Sequence, residues 1–415
     1  MRILKYVIIL ILSLLAWTAI VNLGINSGLL LRPITSENTA ESFIEATKAK
    51  LEKESVGNFA LAVIENGEVA QDFYHSIDQA VDKQTIFQMA SVSKWITAWG
   101  IFALVEDGKI ELDDSVEDYL SRWHLPQSEF NNNEVTFRNL LCHTSGLEDG
   151  LGYAGFESQD SIQTIEESLT KANDAFHTEG ITKVGYQPNS DYRYSGGGYT
   201  LLQLLIEEIS GQSFNDFMTE AVFKPLGMEN TSFRWSNTST LHLSTFYDTD
   251  LSIAPHYRYT ALAAASLYTN VEDLTLFLKA NISSNDVLDR KTLEMMNQNH
   301  VTSGNGMHGL GPIIYGIKGH DNLVIGHDGV SLAAINNSAR INVKTGDGII
   351  ILQTGNWNFA SRLADEWAYW KTGIPDNTVM SSSMNSIIII LIIGYIIILA
   401  LFIPYMRKKL RTKGE

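Results

Sequence analysis

Phe87-Gln88-Met89-Ala90-Ser91-Val92-Ser93-Lys94 is the stretch on which the reading of this chain turns. The next eleven residues, Trp95 to Val105, are almost wholly apolar, and Asp107-Gly108 supplies a stop, so a helix is predicted from near Ser91 to about Val105. A serine there lies at the positive end of the helix, beside backbone N–H groups that have no intrahelical acceptor. Residues three apart share a helix face, which brings the ammonium of Lys94 back to the Ser91 oxygen. Lysine serves as a base only where burial or neighbouring donors lower its pKa towards neutrality, and Met89-Ala90 and Trp95-Ile96 are apolar enough to desolvate it. Ser91 is therefore a candidate nucleophile and Lys94 its candidate base. Taken alone the S-x-x-K spacing is weak, because an N-cap serine followed by a surface lysine spells it equally well.

Further blocks supply the context. They are Leu104-Val105-Glu106-Asp107-Gly108-Lys109-Ile110-Glu111-Leu112, Leu140-Leu141-Cys142-His143-Thr144-Ser145-Gly146-Leu147, Tyr194-Ser195-Gly196-Gly197-Gly198-Tyr199, Pro225-Leu226-Gly227-Met228 and Gly326-His327-Asp328-Gly329. With the opening stretch, and in this order over about residues 50 to 370, they resemble the class C β-lactamase and penicillin-binding-protein-like serine hydrolases. The set is specific where each block alone is not. The resemblance implies an acyl-enzyme formed on Ser91, with Lys94 taking or sharing the hydroxyl proton. Tyr194 would be the second member of the proton relay, and its phenol, with a reference pKa of about 10, would need stabilising neighbours to act as a base. The backbone N–H groups of Ser91 and Val330 would form the oxyanion hole. His327, Gly329 and Ser195 would contact substrate.

Two departures from the family pattern bear on substrate. The polar position after the tyrosine, often asparagine in the family, is Gly196 here, with Ser195 keeping one hydroxyl nearby. The K-T-G triplet is replaced by His327-Asp328-Gly329, and an imidazole holds a substrate carboxylate as a cation only while protonated. Both changes point away from efficient β-lactam hydrolysis and towards an esterase or a D-amino-acid amide or peptide hydrolase. A weak β-lactamase or peptidoglycan carboxypeptidase is the alternative within catalysis, and a non-catalytic cell-wall or ligand-binding module the alternative outside it. Lys344-Thr345-Gly346 spells the lactamase triplet literally, but it sits between two apolar runs and, with Asp347-Gly348, reads as a hairpin turn. His143 reads as a structural histidine and Cys142 as a small core residue. The Gly196-Gly197-Gly198 run lacks a phosphate-loop pattern, and the ten histidines show no H-E-x-x-H, so neither cofactor nor metal is expected.

Asn66-Gly67 between Phe59–Ile64 and the stretch from Val69 predicts a hairpin. Leu201–Ile209 and Phe214–Phe223 are the clearest helices of a middle region, 115 to 310, read as mostly helical. Leu323–Ile325, Ser331–Val343 and Ile349–Thr354 read as strands. Strands at both ends of the region with helices between them predict an α+β fold: an antiparallel sheet flanked by helices, with an inserted, mostly helical subdomain.

Both ends of the chain are apolar and basic. Arg2 and Lys5 precede an apolar run to Val21, and Ile387 to Ile403 precedes Arg407, Lys408, Lys409, Arg411 and Lys413. The expected organisation is a signal anchor or signal peptide over 1–31, a linker over 32–55 and a hydrolase domain over 56–375. A linker over 376–386, a transmembrane helix over 387–405 and a basic cytoplasmic tail over 406–415 complete it. Basic flanks place both tails in the cytoplasm and the domain on the periplasmic or extracellular side of the membrane. The formal charge of −17, deeper once the basic tails are set aside, repels nucleic acid. The expected partners are a small-molecule or peptide ester or amide, and the membrane. One cysteine excludes an intrachain disulfide framework.

Overall fold

The computed structural model describes residues 2–149, 152–176, 178–235, 242–304, 306–318, 322–374 and 377–411. Lys413 of the basic tail and residue 376, at the start of the second expected linker, lie outside the described residues. The chain divides into two compact units, Thr39–Ala364 and a second drawn from Met1–Asn38 and Asp365–Glu415.

In the first unit the strands are β1 (Phe59–Glu65), β2 (Glu68–His75), β3 (Phe87–Gln88), β4 (Tyr268–Thr269), β5 (Val301–Ser303), β6 (Gly306–His308), β7 (Ile313–Lys318), β8 (Asn322–Ser331), β9 (Ile335–Asn342) and β10 (Gly348–Gln353). Eight of them form one antiparallel sheet in the order β2-β1-β10-β9-β8-β7-β6-β5. The two ends of the unit meet as the second and third strands of the sheet, where Phe59 pairs with Gln353 and Ile64 with Gly348. β1, β9 and β10 are buried along almost their whole length, and for β1 and β10 this explains runs that are continuously apolar rather than alternating. Asn66 and Gly67 take φ of 53° and 78°, the left-handed pair that joins β1 to β2 through a tight hairpin. Lys344 lies on the exposed turn between β9 and β10.

Three strands, β5, β6 and β7, form where none was expected, and one expected strand departs from its reading. Ser331–Val343 is not one strand. It turns back at Leu332–Ala334, so that β8 and β9 form a hairpin with Val330 opposite Asn336. Ala333 and Ala334 both have positive φ, 61° and 43°. The expected tight-turn residues, Asn and Gly, are absent there, which is why the break is invisible in the sequence.

The helix Val92–Glu106 is buried on nearly every face, as an all-round apolar helix must be, and Trp95 and Trp99 pack against Phe277 at ring-centroid distances of 4.8 and 5.2 Å. The short pair β3–β4 fixes the chain entering it, with Gln88 opposite Tyr268 and the Met89 N–H donating to the Leu267 carbonyl at 2.7 Å. The middle region holds the longer helices Gly196–Ser210 and Val271–Ala280 among short ones. The Phe214 run continues beyond its expected end, through Pro225 to Leu226, with Gly227 as a left-handed cap.

In the second unit the helices Arg2–Asn26 and Asn377–Arg411 pack side by side. Thr18 Oγ1 and the Tyr395 hydroxyl lie 2.6 Å apart, Trp17 Nε1 donates to the Leu391 carbonyl at 3.2 Å, and Tyr6 meets Tyr405. Partners rise in one helix as they fall in the other, so the pair is antiparallel. Leu4–Asn26 and Thr378–Lys409 are both long and apolar enough to cross a membrane. The second helix runs without a break through residues read as a linker before the span.

Candidate active site

Ala90 has a φ of 47°, a left-handed conformation that is costly for a residue with a Cβ, and it sets Ser91 at the mouth of the Val92–Glu106 helix. Ser91 occupies the cap position without spending its hydroxyl on a capping bond. Ser93 does the local structural work instead, donating to the Ala90 carbonyl at 2.5 Å and accepting from the Leu267 N–H at 3.0 Å. The Ser91 oxygen is thereby left to two neighbours. Lys94 Nζ donates to it at 3.1 Å, and the Tyr194 phenol also hydrogen-bonds it.

Lys94 is 2% exposed, and its second bond goes to the Ala264 carbonyl at 2.8 Å. Burial lowers its pKa to about 7, with Asp149 pulling the other way. The ammonium lies 4.9 Å from the centre of the Tyr194 ring and 5.8 Å from that of Tyr199. Burial pushes the Tyr194 phenol well above its ordinary value, so the phenol keeps its proton at neutral pH. Of the two candidate bases, Lys94 is the one poised near neutrality.

His143 is structural in this geometry. Its Nδ1 accepts the Ser195 N–H at 3.1 Å, its ring lies 4.4 Å from that of Tyr194, and burial holds its pKa well below 6.5. Cys142 is buried beside Thr144, and burial raises its thiol pKa.

β7 pairs with β8 only as far as Gly326, which leaves residues 327–331 with one free edge. Gly329 lies so close to the Met89–Ser91 turn that a Cβ there would sit 2.1 Å from the Met89 carbonyl oxygen and 3.2 Å from the Ser91 nitrogen. Val330, 51% exposed, and Ser91 border the same cavity. His327 stands in the place of the K-T-G lysine. It is buried, its Nδ1 donates to the Asp328 carbonyl at 2.6 Å, and burial with the nearby Lys94 charge lowers its pKa to about 3. Asp328 cannot offset this, because its carboxylate turns to Ser338 and Arg340 on β9. His327 is thus a neutral ring whose Nε2 can only accept a hydrogen bond.

Ser195 needs a correction. It is buried, donates to Asp149 Oδ1 at 2.5 Å and accepts from the Gly198 N–H at 2.7 Å, so its hydroxyl is committed inside the protein rather than offered to substrate. The glycine triplet is the first turn of the Gly196–Ser210 helix, and a Cβ at Gly197 would lie 2.9 Å from the Asp149 carboxyl carbon. Asp149 is the residue that reading the sequence missed. It comes after the His143–Leu147 block in a glycine-rich loop with no motif of its own. The one signal was the glycine run, which asks for some group to come close without saying which.

The cavity over Ser91 and Lys94 has a volume of about 190 Å³, with walls that include Tyr153, Phe176, Ala265, Val330, Leu332 and Trp357. A larger cavity of about 480 Å³, bordered by Arg122, Gln163, Glu207, Trp235 and Arg258, includes neither Ser91 nor Lys94. Among the described residues no cluster of His, Cys, Asp or Glu is arranged to hold a metal ion.

Residues 43–373 match the family model described as Beta-lactamase. Protein flp of Staphylococcus aureus (strain NCTC 8325 / PS 47) is 25% identical over 329 residues, which is 76% of this chain and 63% of that protein. The match thus spans a little under two thirds of that relative's length. Penicillin-binding protein 4* of Bacillus subtilis (strain 168) is 35% identical over 183 residues, 42% of this chain and 37% of that one. Among solved structures, the octameric penicillin-binding protein homologue from Pyrococcus abyssi superposes with a TM-score of 0.66 at 24% identity, over 79% of this chain and 76% of that one. SurE with D-Leu gives 0.62 at 20% identity, over 80% and 74%. At these identities the structural likeness concerns the fold.

Proposed function

The chain belongs to the Beta-lactamase family, and on that premise we propose that it is a membrane-anchored serine hydrolase that cleaves neutral esters or amides with a small apolar acyl group. The observation that carries this is the Lys94–Ser91 contact at 3.1 Å, with Lys94 buried and its pKa near 7. At neutral pH a substantial fraction of Lys94 is free amine, able to take the Ser91 proton as Oγ attacks the carbonyl carbon. The Ser91 and Val330 N–H groups receive the oxyanion. The ammonium then returns its proton to the leaving oxygen or nitrogen, with Tyr194 as the shared partner at Ser91. Water next attacks the acyl-enzyme, giving a proton to Lys94, which passes it to Ser91 Oγ as the bond from Oγ to the acyl carbon breaks, and the acid leaves with Ser91 restored.

The walls of the cavity support the substrate class. They are mainly apolar, and among the described lining residues Lys94, itself the base, is the only cation. His327, neutral and buried, supplies no charge for a substrate carboxylate. β-Lactams and peptides with a free C-terminal carboxylate therefore lose the contact that would anchor them. A non-catalytic module has no need of a buried lysine aimed at a hydroxyl, which favours the enzyme reading.

A fluorophosphonate probe and p-nitrophenyl butyrate test the proposal. Wild type should be labelled and turn over the ester, Ser91→Ala should do neither, and a carboxylate-bearing cephalosporin should be a much poorer substrate. Equal labelling of Ser91→Ala would remove the nucleophile assignment, and rapid cephalosporin hydrolysis would remove the substrate class.

A further inference from the structure

The carboxylate of Asp149 is 8% exposed, and each of its oxygens has one strong donor. Ser195 Oγ donates to Oδ1 and the Gly197 N–H to Oδ2, both at 2.5 Å. The Gly197 N–H belongs to the first turn of the Gly196–Ser210 helix, whose positive end favours an anion. A side chain at Gly197 would meet both this carboxyl carbon and Thr182 Oγ1, at 2.9 and 2.5 Å, so the glycine keeps the seat open. Ser195 directly succeeds Tyr194, whose ring lies beneath the Lys94 ammonium. Asp149 and Lys94 act on each other electrostatically.

Resting on the hydrolase reading, we infer that Asp149 is a positioning residue for the reaction: it is the buried counter-charge of the Lys94 base, held in place by Ser195 and the glycine turn. The other groups facing Lys94 leave it alone in that role among the described residues. Tyr194 and Tyr199 present ring faces, and burial keeps both phenols protonated. His143, His327 and, behind them, His308 are held neutral by burial, the last two with pKa values of about 3 and about 4. Tyr153, which feels the Asp149 charge, is a partly buried phenol bonded to Thr200. Burial raises Asp149 itself to about 6, so it becomes an anion just below the range in which Lys94 releases its proton. The anion holds that proton on Lys94 to higher pH than burial alone would, and sets where the base becomes active.

The test is an NMR titration of the full chain in detergent, carrying ¹³C-lysine, with the Lys94 ε-carbon signal assigned by its loss in Lys94→Met. Wild type should show a main inflection near pH 7 and a smaller step near pH 6, where Asp149 ionises. Asp149→Asn, whose amide oxygen can still accept from the Gly197 N–H while its NH2 donates to Ser195 Oγ, should remove the small step and weaken proton binding at Lys94 about tenfold or more. The acidic limb of kcat/KM for p-nitrophenyl butyrate should move to lower pH by the same amount, whereas a merely structural role would lower the rate without moving the limb. An unshifted Lys94 inflection in Asp149→Asn overturns the inference, and so does a single-step curve in wild type. The wild-type curve decides alone if the variant does not fold. The titration needs no turnover, so an inactive wild type would count against the hydrolase and not against this pairing.

Discussion

Lys94 donates to Ser91 Oγ and to the Ala264 carbonyl while 2% exposed, so its ammonium has given up most of its water for two acceptors. Its folded pKa, about 7, lies below the 10.5 of an exposed lysine. Between those values the unfolded chain binds a proton that the folded chain does not, so this residue makes stability rise with pH across that window. Lys94→Met should therefore lower acylation by a factor on the order of 10² or more, yet be more stable relative to wild type at pH 6 than at pH 10. Thermal midpoints of both proteins across that range check it, and a difference that does not shrink as pH rises would contradict the buried-cation argument. On the proposed mechanism the same residue would set the pH dependence of turnover. kcat/KM should rise through about pH 7 as Lys94 loses its proton, and it should do so equally for neutral and carboxylate-bearing esters. A carboxylate substrate that alone weakens as pH rises through the usual imidazole range would restore His327 as a cationic site. Gly329 is held by contact rather than charge. Gly329→Ala puts a Cβ 2.1 Å from the Met89 carbonyl oxygen, which must push β8 from the Met89–Ser91 turn and cut fluorophosphonate labelling, on the order of 10²-fold if an oxyanion donor is displaced.

At the scale of elements, the hairpin of β8 and β9 is closed by Ala333 and Ala334, both left-handed, where tight turns of this kind prefer Asn and Gly. Ala334→Gly should raise the thermal midpoint, because it relieves a backbone penalty of about 1 kcal/mol. The usual sign of an alanine-to-glycine change in regular structure is the opposite. A fall in the midpoint would mean that the alanine methyl is worth more to packing than the turn costs. This element also marks where the sequence stops being informative. The β1–β2 hairpin is legible because Asn66-Gly67 is a turn that few other residues can make, and β10 because an unbroken run of isoleucines fits a strand buried along its whole length. The β8–β9 turn carries no such signal. β5, β6 and β7, spread over Val301–Lys318, are short and glycine-punctuated, and they hide in a region whose neighbours are helical. At the site, Ser91 and Lys94 are legible because helical spacing alone brings them together. Tyr194 and His327 are found only through the order of the blocks, and the state of His327 depends on burial, which no local pattern reports. Asp149 stays hidden because its partners, Ser195 and Gly197, are 46 and 48 positions away.

For the whole molecule, the terminal helices bear on which side of a membrane the proposed hydrolase would work. Arg2–Asn26 and Asn377–Arg411 run antiparallel, and Gly394 leaves room for Trp17, since a Cβ there would lie 2.0 Å from the indole nitrogen. The 23 residues of Leu4–Asn26 rise roughly 35 Å as a helix, enough for a hydrocarbon core of about 30 Å. An antiparallel pair of spans returns the chain to the side from which it entered. Arg2 and Lys5 at one end, and Arg407, Lys408 and Lys409 at the other, then lie together and favour the cytoplasmic face. With that face in the cytoplasm, the acidic segment between the spans would lie outside, and a substrate would reach Ser91 without crossing the membrane. Cysteine labelling can decide this cleanly, because the one native cysteine, Cys142, is buried. A membrane-impermeant maleimide should label Ser36→Cys in intact cells, and should reach Lys5→Cys and Lys408→Cys only after permeabilisation. Labelling of Lys5→Cys from outside would mean that the N-terminal helix does not enter as an inside-anchored span. Labelling of Lys408→Cys alone from outside would leave a single crossing by the N-terminal helix, with the second helix on the outer side. If Ser36→Cys reacts only after permeabilisation, the charge rule has been read the wrong way round for this chain, and the active site would face cytoplasmic esters instead.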